Sequence, residues 1–249
     1  MTAPAPGELD PARQTIVTAI GRKGSGKSKY ARWLAASYPY DQVILDLHGV
    51  DRPAELDRKD SGVVAVDEPP ARWPEHLRPD AGVPLALYFQ PDAGSPTLLA
   101  DMDAAAGLAY AHGRCLLLVH EAGELYRVHK TPAMARRVLS QGRGRRVTML
   151  LLAHRPHNLD PMVLVQSDVV VCFEVPNPRD RELIANGIGW DPADFALALG
   201  ELEPYGYLQF DRRLPTPAAG EPDNRLLAYP PLSRAELADV LRPEVRMST

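Results

Sequence analysis

A glycine-rich stretch of eight residues, Gly21 to Ser28, constrains this chain more than any other feature of its sequence. It reads Gly-Arg-Lys-Gly-Ser-Gly-Lys-Ser and fits the phosphate-loop pattern G-x-x-x-x-G-K-[ST] at every fixed position. The β-branched residues of 14–20 predict a strand before it, and residues 29–36 predict a helix after it. Glycines let the backbone wrap around phosphate oxygens, and the helix N-terminus adds partial positive charge. The stretch therefore predicts a site for the phosphate chain of a nucleotide.

Individual residues of this loop have predictable roles. We expect Lys27 to reach the β- and γ-phosphates of ATP, and we expect the Ser28 hydroxyl to bind Mg²⁺. ATP and Mg²⁺ are therefore the predicted cofactors. The residues predicted to bind the nucleotide are Gly21, Lys23, Gly24, Ser25, Gly26, Lys27, Ser28 and Lys29.

Composition narrows the class of protein. The 249 residues are 45% hydrophobic and 24% charged, which suits one α/β domain with additions or two small domains. The net charge of −4 excludes a globally basic coat, so contact with DNA would need a local patch or a central pore. The sequence has no signal-peptide core and no apolar run long enough to span a membrane. We therefore expect a cytoplasmic protein without a transmembrane segment, in which Cys115 and Cys172 are buried and reduced.

Strand-like and helix-like segments alternate along the rest of the chain. This alternation predicts an α/β fold with a doubly wound, mainly parallel sheet and helices on both faces, whose active groups gather at the carboxyl ends of the strands. Further strands are predicted at 43–47, 63–66, 85–89, 116–119, 147–153, 169–173 and, as a terminal strand at an edge, 205–210. Helices are predicted at 96–112 and after the cap-then-proline pairs Thr131-Pro132, Asp160-Pro161, Asn177-Pro178 and Asp191-Pro192.

The chain is predicted to have three regions. Residues 1–12 form a flexible tail, and residues 13–213 form the nucleotide-binding ATPase domain. Prolines recur without periodicity over 214–249, which predicts an extended C-terminal arm. Within this arm, Ser233 and Glu236 have the spacing of a capping box before a short terminal helix.

A second candidate for the site is the apolar run 116–119, which is followed by His120 and Glu121. A phosphate-loop protein needs an acidic strand end, usually Asp then Glu, where Asp holds the hydration shell of Mg²⁺ and Glu polarises the attacking water. Glu121 is the predicted catalytic glutamate. His120 replaces the aspartate and supplies no negative charge. Either the His120 imidazole or the Asp46 carboxylate is predicted to hydrogen-bond the metal's water ligands, and the alternative is weak metal binding. The alternative is that Glu121 only caps a turn.

A third candidate is the stretch Gln141-Gly142-Arg143-Gly144-Arg145-Arg146 before strand 147–153, with His154 after that strand. A polar residue at a strand end beside the γ-phosphate can sense hydrolysis, which is the predicted role of His154. One arginine of this cluster, Arg143, Arg145 or Arg146, is predicted to reach across a subunit boundary and to stabilise transition-state charge on a neighbour's phosphate. The alternative is a solvated basic loop, or one that contacts nucleic-acid phosphates.

In this order, the motifs resemble those of the HerA/FtsK superfamily of DNA-pumping ATPases. The resemblance rests on Gly21–Ser28, on Leu116–Glu121, on the arginine-glycine stretch and on Ala153-His154-Arg155-Pro156, and it covers about residues 13–213. The Arg-Pro segment after a buried strand is the most specific of these features.

The resemblance implies a P-loop NTPase fold of the RecA-like, ASCE type, in a homo-oligomeric ring, often a hexamer, with double-stranded DNA through its pore. It also implies catalysis by Glu121 and a sensor at His154, although the family usually has Asp at position 120 and Gln at position 154. A compact member such as this one resembles the genome-packaging ATPases of viruses. Proteins that transfer the DNA of mobile elements are equally compact. A capsid or membrane portal protein would then be a partner. This chain would be located in the host cytoplasm or at a virion vertex. Residues 48–60 and 69–84 are candidates for the pore loop.

Three functions are consistent with the sequence. The first is an ATP-driven translocase of double-stranded DNA for genome packaging or DNA transfer. The second is a nucleotide-binding assembly subunit with weak or no hydrolysis, which His120 favours. The third is a small-molecule kinase, for which Arg179-Asp180-Arg181 is the only hint of an arginine-rich lid.

Overall fold

The computed structural model describes residues 14–50, 62–66, 84–218 and 223–233, together with Leu9, Pro70, Trp73 and Glu236. Most of the predicted terminal helix, most of the predicted tail and most of the two predicted pore-loop segments lie outside these residues. The predicted capping box is confirmed, because the Ser233 N–H donates to the Glu236 carboxylate at 2.7 Å and the Glu236 N–H donates to the Ser233 hydroxyl at 3.2 Å. The described strands are β1 Ile16–Ile20, β2 Gln42–Asp46, β3 Gly62–Ala65, β4 Leu85–Phe89, β5 Leu116–His120, β6 Thr148–Ala153, β7 Val169–Cys172, β8 Tyr207–Asp211 and β9 Leu226–Tyr229.

Seven α-helices connect or follow these strands in the described part of the chain. They are α1 Lys27–Ser37, α2 Leu98–His112, α3 Ala122–Leu125, α4 Ala133–Gln141, α5 Pro161–Gln166, α6 Pro178–Ile188 and α7 Pro192–Gly200, with 3₁₀ turns at Gly142–Arg145 and Pro156–Asn158.

The strands form one sheet in the order β3-β4-β2-β5-β6-β1-β7-β8-β9. Pairing is parallel from β3 across to β7, and β8 and β9 then pair antiparallel. One strand, β6, lies between the phosphate-loop strand β1 and the strand β5 that ends at His120, which is the order of the RecA-like, ASCE type. The predicted fold class is therefore confirmed.

Both faces of the sheet are covered, as predicted for buried parallel strands. Alternate residues of β5 serve the two faces: Leu117 and Val119 pack with α2 and α4, whereas Leu116 and Leu118 pack with α1. All four side chains are fully buried. A strand with no solvated face needs a continuous apolar sequence, which is why this run could be identified from composition alone.

Three of the four predicted cap-then-proline helix starts are confirmed. Asp160, Asn177 and Asp191 each accept a hydrogen bond from a backbone N–H of the first helical turn, and a proline follows each of them at the first helical position. The fourth prediction is wrong, because α4 begins one residue later, at Ala133, without a side-chain cap. The Thr131 hydroxyl instead lies 3.2 Å from the Arg127 carbonyl oxygen and 3.1 Å from the Asp160 carboxylate.

The prediction of an edge strand at 205–210 is also wrong. The observed strand, β8, lies between β7 and β9, and its five residues are all buried. The edge position belongs to β9, which lies in the predicted C-terminal arm and pairs with β8 from Tyr207↔Tyr229 to Phe210↔Leu226. The stacked rings of Tyr207 and Tyr229, 5.3 Å apart, add to this pairing. Part of the arm therefore completes the sheet.

Candidate active site

The carboxyl ends of β1, β6 and β5 meet at one edge of the sheet, because these three strands are parallel and adjacent. The chain that leaves each strand contributes one part of a common pocket of about 800 Å³. The described residues that line it are Lys23, Gly24, Gly26, Lys27, Ser28, Lys29, His48, Val50, His120, Glu121, Leu152, His154 and Tyr205. Three predicted motifs, at 21–28, 116–121 and 153–156 in the sequence, thus form one site.

The phosphate loop has the backbone that only glycine adopts easily. Gly24 has φ 78° and Gly26, which caps α1, has φ 110°. A Cβ at Gly21 would lie 2.7 Å from the Phe173 Cβ and 2.8 Å from the Ser25 Oγ, so the loop passes too close to the residue that follows β7 for any side chain there. The pattern of glycines in the sequence therefore reflects both conformation and close packing.

The ammonium group of Lys27 is buried beneath the loop, with 6% of the residue exposed. It donates hydrogen bonds to the Gly21 and Arg22 carbonyl oxygens at 2.6 and 2.9 Å, and it lies 3.1 Å from the His154 Nδ1. Burial lowers the pKa of Lys27 to about 8, although the nearby Glu121 carboxylate acts in the opposite direction. A phosphate anion beside this group would favour its charged form.

We predict that nucleotide binding to this site is coupled to proton uptake by Lys27. Above about pH 8 the free protein loses the Lys27 proton, and a bound phosphate restores it by raising the pKa. The affinity for ATP should therefore fall as the pH rises from about 8, by up to roughly tenfold per pH unit. Calorimetric titrations in buffers of different ionisation enthalpy measure the protons taken up. An affinity that stays constant from about pH 7 to pH 10 would contradict this assignment.

His154 joins Lys27 to Glu121. An ammonium group can only donate, so the His154 Nδ1 accepts from Lys27, and the neutral ring carries its proton on Nε2. That Nε2–H donates to the Glu121 carboxylate. The predicted base and the predicted sensor are thus in direct contact, and the sensor also contacts the lysine that would move toward a phosphate.

Glu121 does not serve as a helix cap through its side chain. It is the residue before the short helix α3, and no side-chain capping hydrogen bond is present there. Its backbone has φ 58° and ψ 54°, a left-handed conformation that costs a non-glycine residue on the order of 1 kcal/mol. This conformation turns the chain sharply at the end of β5, where the carboxylate meets His154 in the pocket. Glu121 thus closes the turn through its backbone, since its carbonyl oxygen accepts from the Glu124 N–H at 2.8 Å, while its carboxylate contacts His154.

His120 and Asp46 lie side by side at the ends of β5 and β2, in register. His120 lines the pocket and is 3% exposed, whereas Asp46 is fully buried and is not among the described lining residues. The Asp46 carboxylate accepts hydrogen bonds from the Tyr88 hydroxyl at 3.0 Å and the His48 N–H at 3.3 Å. Any influence of Asp46 on a metal therefore acts from behind the lining residues.

Magnesium fits this site as an ion that arrives with the nucleotide. In the described part of the chain, no group of three or more His, Cys, Asp or Glu side chains is arranged to hold a metal. Ser28 offers its hydroxyl at the pocket wall. Mg²⁺ at phosphate sites commonly takes one or two protein oxygens, phosphate oxygens and several waters, so this sparse donor set is sufficient.

The arginine-rich stretch lies away from this pocket. It precedes β6, whereas the phosphate loop follows β1, and these two strands are parallel. Arg145 is engaged locally, since it donates to the Tyr110 and Ala111 carbonyl oxygens in the last turn of α2 at 3.0 and 2.5 Å. Arg143 is 79% exposed and has only a long contact, 3.8 Å, with Asp168. Among the predicted fingers, Arg145 is therefore held by local hydrogen bonds, whereas the contact of Arg143 with Asp168 is weak.

Sequence reasoning did not assign four of the described lining residues to the site: His48, Val50, Leu152 and Tyr205. His48 and Val50 follow β2, Leu152 lies in β6, and Tyr205 precedes β8. None belongs to a motif. The only signal for Tyr205 is its position between Pro204 and Gly206, a pattern typical of a tight turn.

The segment proposed as a kinase lid is part of a packed helix. Arg179, Asp180 and Arg181 form the first turn of α6. Asp180 is 5% exposed and receives hydrogen bonds from Arg155 at 3.3 Å and His157 at 3.1 Å. A turn tied down in this way does not have the character of a mobile lid.

The two cysteines lie apart from the pocket. Cys115 and Cys172 are free thiols and fully buried, as predicted. Burial raises the pKa of Cys115 to about 12, so this thiol has little thiolate character.

No helix in the described part of the chain combines the length and apolar character that a membrane crossing requires.

The fold is similar to that of solved viral NTPases. The genome packaging NTPase B204 from Sulfolobus turreted icosahedral virus 2 in complex with AMPPCP is 17% identical, with a TM-score of 0.63 over 90% of this chain and 100% of that chain. The same NTPase in complex with sulfate is 18% identical, with a TM-score of 0.66 over 90% and 98%. B204, the DNA-packaging ATPase from Sulfolobus Turreted Icosahedral Virus, is 17% identical, with a TM-score of 0.57 over 90% and 100%.

At these identities the likeness establishes the fold, and it confirms the predicted structural resemblance to compact viral packaging ATPases. No protein-family model and no curated protein matches the sequence.

Proposed function

We propose that this chain is an ATPase that uses ATP hydrolysis to translocate double-stranded DNA. The translocation would serve genome packaging or the DNA transfer of a mobile element. The observation that carries the proposal is the contact chain from Lys27 through His154 to Glu121, beside the phosphate loop. The similar fold of a DNA-packaging ATPase supports the coupling to DNA. A homo-oligomeric ring, with a capsid or membrane portal protein as a docking partner, belongs to the same proposal.

The residues of the pocket divide the work of hydrolysis. The loop N–H groups and Lys27 bind the phosphate chain, and Mg²⁺ bound with ATP would neutralise charge on its oxygens. Glu121 takes the proton of the attacking water, and His154 holds the Glu121 carboxylate in place through Nε2–H. Because Lys27 contacts His154 before nucleotide is bound, its movement to the phosphates changes the hydrogen bonding of His154. This is a direct link between an occupied site and the position of the base.

The proposed function is tested by measuring ATP hydrolysis with and without double-stranded DNA. We expect a rate that rises with DNA and is lost in both Lys27→Ala and Glu121→Gln. A single-stranded oligonucleotide of the same length is the control for a general polyanion effect. A rate of ATP hydrolysis that is unchanged by double-stranded DNA at low and at moderate salt would contradict the proposed DNA translocase.

The two arginines are predicted to respond differently to substitution. Arg143→Ala should lower the rate of hydrolysis in the assembled protein by about 10³-fold, the effect of losing a finger supplied in trans, with little change in stability. Arg145→Ala should instead lower the free energy of unfolding by about 1 kcal/mol, because it removes hydrogen bonds to the last carbonyls of α2. Steady-state hydrolysis and denaturant unfolding of both variants distinguish the roles. Equal hydrolysis by Arg143→Ala and the wild type would exclude Arg143 as the finger.

A second candidate function is that of a nucleotide-binding assembly subunit with weak or no hydrolysis. It is favoured by His120, a buried imidazole that lines the pocket where the family usually has a carboxylate. Binding of ATP with ring assembly, but without hydrolysis in the presence of DNA, would identify this function.

Restoring the family's carboxylate provides a further prediction. His120→Asp should bind Mg²⁺-ATP more tightly than the wild type by roughly tenfold, because negative charge returns beside the metal. His120→Asn is the control, since it has the same size as Asp and no charge. Titrations of ATP with and without Mg²⁺ give the two affinities. If His120→Asp and His120→Asn bind Mg²⁺-ATP equally, position 120 does not face the metal.

A further inference from the structure

Tyr205 lines the pocket with a largely exposed aromatic side chain. It is 61% exposed, although it lies two residues before Tyr207, which is 1% exposed and packs its ring against Tyr30, Phe173 and Tyr229. An exposed aromatic ring at the mouth of a binding pocket loses apolar contact with the protein and is available to a ligand.

The backbone holds Tyr205 in this exposed position at a conformational cost. Residues 203–206 form a turn closed by a 2.9 Å hydrogen bond from the Gly206 N–H to the Glu203 carbonyl oxygen. Tyr205 occupies the third position with φ 69°, after Pro204 in the second. This is the pattern of a type II turn, whose third position normally holds glycine because it needs positive φ. A tyrosine there is not explained by the turn itself.

The topology places Tyr205 opposite the reactive groups. β5 and β6, which lead to Glu121 and His154, lie on one side of β1. β7 and β8 lie on the other side, and the turn before β8 reaches the same edge because β8 runs antiparallel. A Cβ built on Gly26 would lie 3.9 Å from the Tyr205 Cβ, so the ring stands beside the N-terminus of α1. A triphosphate with its γ end at Glu121 therefore extends across the loop toward Tyr205.

We propose that Tyr205 is the platform on which the base of the nucleotide stacks. Every base presents a π-face, so a single stacking ring supplies affinity without strong selection among bases. Tyr205 thus binds the nucleoside part of the ligand, and the phosphate loop binds its phosphate part. This inference rests on the proposed function, since it takes the pocket to hold a nucleoside triphosphate.

The test compares ATP, GTP and inorganic tripolyphosphate as ligands, in the presence of Mg²⁺, by calorimetric titration. For Tyr205→Ala, the affinities for ATP and GTP should each fall by roughly tenfold, whereas the affinity for tripolyphosphate should not change. Tyr205→Phe keeps the ring and should bind all three ligands as the wild type does. Tyr205→Gly should also lose nucleotide affinity, but its unfolding temperature should not fall, because glycine removes the strain of positive φ.

The outcomes separate the two proposals. ATP affinity that is unchanged in Tyr205→Ala overturns the stacking role and leaves the proposed function standing. A loss that is equal for ATP and tripolyphosphate also overturns it, because the substitution then acts on the phosphate loop. A wild-type protein that binds neither ATP nor tripolyphosphate contradicts the proposed function itself.

Discussion

Glu121→Gln is expected to lower the rate of ATP hydrolysis by about 10²–10⁴-fold, the usual contribution of a general base, while ATP binding is retained. The amide has nearly the same shape as the carboxylate, so the turn at the end of β5 should persist. Its oxygen can still accept a hydrogen bond from the His154 Nε2–H, but it cannot take a proton from water. The variant should therefore trap bound ATP, which single-turnover measurements would detect.

Glu124→Gln is the matched control for this substitution. Glu124 lies on α3, the short helix that Glu121 precedes; it pairs with Arg127 at the surface and is not among the described lining residues of the pocket. The same change of charge there should leave hydrolysis within about twofold of the wild type, because exposed ion pairs contribute little. Near-normal hydrolysis by Glu121→Gln would show that another group acts as the base.

Lys27→Ala is expected to weaken ATP binding by about 100-fold or more. Hydrogen bonds to charged groups contribute roughly 1.5–3 kcal/mol each, and this ammonium is the buried cation under the loop. The substitution also removes the two hydrogen bonds to the Gly21 and Arg22 carbonyl oxygens. ATP should consequently fail to raise the unfolding temperature of this variant, whereas it should raise that of the wild type.

Lys130→Ala is the control for the loss of a positive charge, since Lys130 is exposed and does not line the pocket. It should show the full stabilisation by ATP. If Lys27→Ala is stabilised by ATP as much as Lys130→Ala, the nucleotide does not bind at this loop.

The features that the sequence alone determined are those encoded by neighbouring residues. The glycines of Gly21–Ser28 specify backbone angles that other residues adopt only at a cost, and a cap followed by proline specifies the starts of α5, α6 and α7. The apolar run ending at His120 specifies a strand buried on both faces. Each of these signals is local, so each could be recognised without knowledge of the partner segments.

Only the tertiary structure decided which distant segments meet. The pairing of Ile16 with Met149 places β6 beside β1 and therefore His154 against Lys27, yet no local pattern states that register. The same holds for β9, which takes the edge that β8 was predicted to occupy. Strand order depends on the burial of complete faces and on the closure of long loops, which are properties of the whole chain. The exposed ring of Tyr205 lies at the pocket because of the position of β8 in the sheet, and no sequence motif indicates that position.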